Sequence, residues 1–183
     1  MPEVQEGGRA PVDAHSGGRL RARHGGPALG GRAKPGVVLA ATATAAVVAD
    51  QVTKALAASL LASGPPARIV RGVLDLELTR NPGGAFGILP QSPLLFFLAT
   101  VVIVAAVLVW GLRTGQAPVA LGLIAGGGLG NLIDRVARAP GGLQGRVVDF
   151  IHVPFWPTFN VADSAIVVGV GLLILHELLP RRS

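Results

Sequence analysis

The chain has 183 residues, of which half are hydrophobic and 14% are charged; it contains no cysteine and carries a net charge of +6. A soluble domain of this length holds roughly a quarter charged residues, so the composition and the clustering of the apolar residues favour a membrane protein over a large soluble core. Thiol nucleophiles, disulfides and cysteine metal sites are excluded, and a nucleic-acid interface is disfavoured because the basic residues form no stripe and tyrosine is absent.

Residues 1–35, rich in Gly, Arg and Pro, read as a disordered basic cytoplasmic tail. Basic residues before an apolar stretch also suit a secretory signal peptide, but the stretch over 37–61 is too long for one. Three further runs follow, at 94–112, 117–133 and 161–179, each long enough to cross a bilayer. The expected fold is therefore all-α and polytopic: four transmembrane helices within a domain over 36–180. Between the first two spans, Ile69–Thr79 alternates loosely, a strand signal, which predicts a small β-rich extracytoplasmic region at the membrane surface. The third run carries Gly122, Gly126 and Gly130 at four-residue spacing, which lets helices approach closely in lipid. Four spans place both termini on one side. The arginine-rich ends make that side the cytoplasm.

Only ten acids occur in the chain, and Asp50, Asp134, Asp149 and Asp163 are among those that fall in or beside these spans. A carboxylate at membrane depth is costly and faces a partner, water or a substrate. Asp50 and Lys54 share a helix face, as an internal ion pair or as a polar post that holds a substrate or a loop. Asn81, in Arg80-Asn81-Pro82-Gly83-Gly84-Ala85-Phe86, sits in turn chemistry, and the aromatic after the glycines suggests a loop tip dipping into lipid. Asn131 and Asp134 share a face at the end of the third run, with Arg135 placed to pair with Asp134 or with lipid phosphate. Asp149, between apolar residues in Val147-Val148-Asp149-Phe150-Ile151, is out of pattern for a strand unless it is an edge charge. Asn160 and Asp163 open the fourth span as N-cap and first-turn acid.

Thirteen residues, including Pro154 and Pro157, separate Asp149 from Asp163. That is enough chain for an excursion and return at the outer surface. Two carboxylates brought together share one proton, which supplies a base to activate water and an acid to protonate a leaving amine. Other chemistries lack their residues. No G-x-S-x-G or H-E-x-x-H is present, and Gly126–Asn131 has neither the spacing nor the Lys-Ser/Thr of a phosphate loop. The four histidines are scattered, so no metal cluster and no cofactor are expected. A small polytopic transporter or channel with an acidic ion pathway is the competing reading, although no inverted repeat is visible.

Five motifs in order, D-Q-V-T-K at 50–54, R-N-P-G-G-A-F at 80–86, G-N-L-I-D-R at 130–135, V-V-D-F-I at 147–151 and F-N-V-A-D-S-A at 159–165, resemble lipoprotein signal peptidase (signal peptidase II, peptidase family A8) over roughly residues 37–179. The resemblance implies a monomeric intramembrane aspartic endopeptidase of the bacterial inner membrane. It would cut signal peptides from diacylglyceryl-modified prolipoproteins just before the lipidated cysteine, near the outer face. It implies that Asp149 and Asp163 are catalytic and that Asp50, Lys54, Asn81, Asn131, Asp134, Arg135 and Asn160 bind substrate or support the pair. It also implies inhibition by globomycin-type cyclic peptides. The chain departs from the family in its long tail and in an extended link over Val136–Arg146.

Overall fold

The computed structural model of the protein describes residues 33–83, 93–138 and 145–179. The element order is α1 (Pro35–Leu60), β1 (Ala67–Val70), β2 (Leu74–Asn81), α2 (Pro93–Thr114), α3 (Pro118–Ala137), β3 (Val147–His152) and α4 (Val161–Leu178). All four helices are long and apolar enough to cross a membrane. Most of the tail, the tip Gly84–Phe86, the Pro140-Gly141-Gly142 stretch and Arg181-Arg182 lie outside the described residues.

The helix bounds follow from the chain's chemistry. Proline stands at the first helical position of α1 and α3, where its missing N–H is no loss and its fixed φ suits the helix. The third helix outlasts its expected end at residue 133 and continues to Ala137. The charges at Asp134 and Arg135, which mark a span's end by composition, are buried here and satisfied by partners inside the protein. Asp134 therefore lies within a helix long and apolar enough to cross a membrane.

Helix α3 sits at the centre, packed on α1, α2 and α4. Its glycines make that possible. A methyl group on Gly126 would stand 2.5 Å from the Ala43 carbonyl oxygen of α1, and one on Gly130 would stand 2.5 Å from the Asp50 carboxylate. Without side chains at these positions the backbones meet at close range, which is how helices associate where lipid removes the hydrophobic drive. The aliphatic faces of α2 and α4, such as Val102, Ile103 and Val167, are turned outward, as suits lipid contact.

The expected small β region is present, and Ile69–Thr79 lies within a hairpin of β1 and β2. The chain reverses at Arg71–Val73, where the Val73 N–H donates to the Val70 carbonyl and Gly72 takes a positive φ of 76°, a conformation open to glycine. The resulting sheet is antiparallel with order β1-β2-β3. One extra residue in β2 between Leu76 and Thr79 shifts the β2–β3 register, so that Thr79 faces Asp149 and Asn81 faces Val147. Val148 and Phe150 of β3 pack with Ala57 of α1, and Leu76, Leu78, Ile151 and Val161 close around them. This small core fixes the sheet to the C-terminal end of α1 and so positions Asp149.

Candidate active site

Asp149 is 2% exposed. Its Oδ2 accepts from Asn81 Nδ2 at 3.0 Å and its Oδ1 from Asn160 Nδ2 at 2.6 Å. Asn81 ends β2, and its own Oδ1 accepts from the Gly83 N–H at 2.8 Å. The turn chemistry of the Asn-Pro-Gly segment thus aims one amide at the carboxylate. Burial, then the nearby charge of Asp163, push the Asp149 carboxyl up to about 6, against the opposing effects of the two asparagines and Lys54.

Asp163 stands in the first turn of α4 within a capping box. Asn160 Oδ1 accepts from the Asp163 N–H at 3.0 Å, and Asp163 Oδ2 accepts from the Asn160 N–H at 3.2 Å. Such reciprocal capping satisfies two orphan donors at a helix start. Asp163 Oδ1 also accepts from Asn131 Nδ2 at 2.9 Å. The Asn131 Oδ1 in turn accepts from Asn160 Nδ2 at 3.2 Å. The two carboxylates are therefore joined through two side-chain amides. They line one cavity of about 350 Å³ together with Asn81, Asn131 and Arg135, and its apolar wall includes Phe96, Trp156 and Val167.

The other expected site residues lie behind this cavity. Lys54 is fully buried, and its Nζ meets Asp50 Oδ2 at 2.8 Å, Asp134 Oδ2 at 3.0 Å and Asn131 Oδ1 at 2.9 Å. Asp134 also pairs with Arg138 at 2.7 Å and accepts from the Val148 N–H at 3.0 Å. Asp50 Oδ1 accepts from the Ala162 N–H at 3.0 Å. These contacts tie α1 to α3, to the residue before Asp149 and to the residue before Asp163. Arg135 forms no ion pair with Asp134 among the described residues. It donates to the Pro82 and Gly145 carbonyls at 3.3 and 3.5 Å and so closes the loop ends around the cavity.

Two contributors escaped the sequence reading. Gln51 donates to Asp50, to the Gly130 carbonyl and to Asp134 at 3.1–3.2 Å; its place inside D-Q-V-T-K was the available signal. Arg138, one helical turn after Asp134, was the natural ion-pair partner at that spacing. Among the described residues, no group of three or more His, Asp or Glu is arranged to hold a metal.

The family model for Signal peptidase (SPase) II matches residues 42–179 of this chain. The chain belongs to the signal peptidase II family. It is 45% identical over 133 residues to the lipoprotein signal peptidase of Rhodococcus jostii (strain RHA1), covering 71% of this chain and 67% of that one. The lipoprotein signal peptidase of Mycobacterium avium (strain 104) is 39% identical over 179 residues, 96% of this chain and 88% of the relative. A solved bacterial membrane enzyme superposes with a TM-score of 0.68 at 34% identity, covering 78% of this chain and 88% of that structure. Family membership makes the protein a multi-pass membrane protease. It sets aside the transporter reading.

Proposed function

We propose that the protein is an intramembrane aspartic endopeptidase that removes signal peptides from diacylglyceryl-modified prolipoproteins, with Asp149 and Asp163 as its catalytic pair. One observation carries the reading: the buried Asp149 carboxylate and the partly buried Asp163 carboxylate face one cavity, linked through Asn160 and Asn131. The raised Asp149 carboxyl suits a pair that holds one proton between two acids. The ionised member takes a proton from water, whose oxygen attacks the scissile carbonyl carbon. The protonated member then delivers its proton to the leaving amine as the C–N bond breaks. Asn81, Asn131 and Asn160 keep both carboxylates aimed at the same space, and Asp50, Lys54, Asp134 and Arg135 hold the elements that carry them.

The site lies where the sheet meets the outer ends of the spans, and both termini lie in the cytoplasm of a bacterial inner membrane. The cavity wall is largely apolar, so binding energy comes mainly from the substrate's acyl chains and signal helix. A buried methylene contributes about 0.8 kcal/mol, and part of that energy orients the scissile bond. The test compares lipidated and unlipidated precursors at saturating concentration with purified protein in one detergent, without an ion gradient. The lipidated precursor is expected to turn over much faster. Equal rates would widen the assignment to general signal-peptide hydrolysis.

A further inference from the structure

Beside the aspartate pair, three polar side chains from separate segments converge at the end of β3. Thr158 Oγ1 donates to Glu77 Oε1 at 3.1 Å. His152 Nδ1 lies 3.3 Å from that same Glu77 oxygen and 3.4 Å from Thr158 Oγ1. Glu77 stands in the stretch of β2 where the register with β3 shifts. Bulges of this kind re-aim side chains beside active sites. His152 ends β3, and Thr158 belongs to the segment that returns the chain from β3 to α4.

We propose that Glu77, Thr158 and His152 form a clasp that positions the 153–159 segment against the cavity, making Glu77 and Thr158 positioning residues for the cleavage reaction. The proposal rests on the catalytic reading above. Trp156, Pro157, Thr158 and Phe159 line the cavity, so the place of this segment shapes the space a substrate enters. Two residues beyond Thr158, Asn160 binds Asp149 and caps the helix that carries Asp163. The segment also contains a strained residue: Phe155 has a φ of 67° and is fully exposed. A non-glycine residue persists in that region only where its surroundings over-determine the backbone. Phe159 contributes to that by pairing with Ile151 through two backbone hydrogen bonds of 2.8 and 3.0 Å. The clasp is the side-chain hold one residue earlier. Glu77 and His152 are about a third exposed, so the cluster adds little to global stability, and its effect is on geometry.

The chain's two tryptophans are Trp110 and Trp156. A Trp110→Phe background therefore leaves Trp156 as a fluorescent reporter inside the segment. In that background Thr158→Val and Glu77→Ala are expected to lower kcat roughly tenfold, on the scale at which small misplacements slow enzymes. KM and the melting temperature are expected to stay near the parent values, and Trp156 anisotropy to fall. Thr158→Ser and Glu77→Gln, which retain a donor and an acceptor, are expected to restore both kcat and anisotropy. Unchanged kcat in Thr158→Val and Glu77→Ala overturns the proposal, whatever the anisotropy does. So does a loss of kcat that Thr158→Ser fails to recover, or one that only tracks the loss of folded protein. A parent protein that does not cleave a lipidated precursor refutes the catalytic reading instead, and the anisotropy series still decides whether the clasp holds the segment.

Discussion

Asp50 and Asp134 each meet the Lys54 ammonium, at 2.8 and 3.0 Å, whereas Asp149 and Asp163 are held by amide donors and form no ion pair among the described residues. The four carboxylates share one residue type and one region of the molecule, and their partners divide the labour. In the post, two buried acids meet two cations, Lys54 and Arg138, so their charge is balanced. At the cavity the acids are held by amides and make no direct ion pair among the described residues, and the Asp149 carboxyl rises to about 6, chiefly through burial. A balanced cluster suits holding helices together, and an unbalanced pair suits exchanging protons.

Changing one partner at a time breaks this contrast. The largest stability effect is expected from Lys54→Met, which leaves two buried carboxylates short of a cation. Removing one partner of a buried ion pair costs about 3–5 kcal/mol, so thermal melts in detergent should show a severe loss of folded protein. Asp163→Asn removes no cation partner and should cost less than about 1.5 kcal/mol, the scale of one hydrogen bond. Comparable melts for the two variants would erase the distinction between post and pair. Gly130→Ala is expected to cost about 1–3 kcal/mol, as overpacked sites do, because its methyl group would press on the Asp50 carboxylate; chemical denaturation measures this. The smallest effect is on pH dependence. With its carboxyl raised, Asp149 holds its proton up to about pH 6 and loses it as pH rises further. The alkaline limb of kcat/KM should then fall with an apparent pKa near 6 that belongs to the pair. Because the Asp163 charge is one cause of the rise, infrared titration of Asp149 in Asp163→Asn should show a lower midpoint.

Much of this site was legible in the sequence because each acid is anomalous in its local pattern. Asp50 and Lys54 stand at helical spacing inside an apolar run, and Asp149 interrupts β-branched residues. The N-cap role of Asn160 follows from the helix start after Phe159, and the capping box realises it. The hairpin was harder to read, because one glycine at a positive φ reverses the chain without interrupting the apolar character of the segment. The end of α3 was misjudged because charge ends a span by composition, while Lys54 neutralises Asp134 from another helix, a position that local sequence does not bring together with it. The Glu77–Thr158–His152 cluster depends on a register shift between strands, and no spacing rule reveals it.

The most direct test of the central claim is single-turnover cleavage of a lipidated precursor by Asp149→Asn, Asp163→Asn and the double variant, each checked for folding. Members of a catalytic unit are not additive, so each single variant is expected to lose about 10³-fold or more, within the range of acid–base catalysis. The double variant is expected to fall no further. Near-normal cleavage by either single variant, or a double-variant loss equal to the product of the single losses, would contradict the assignment of Asp149 and Asp163 as one catalytic pair.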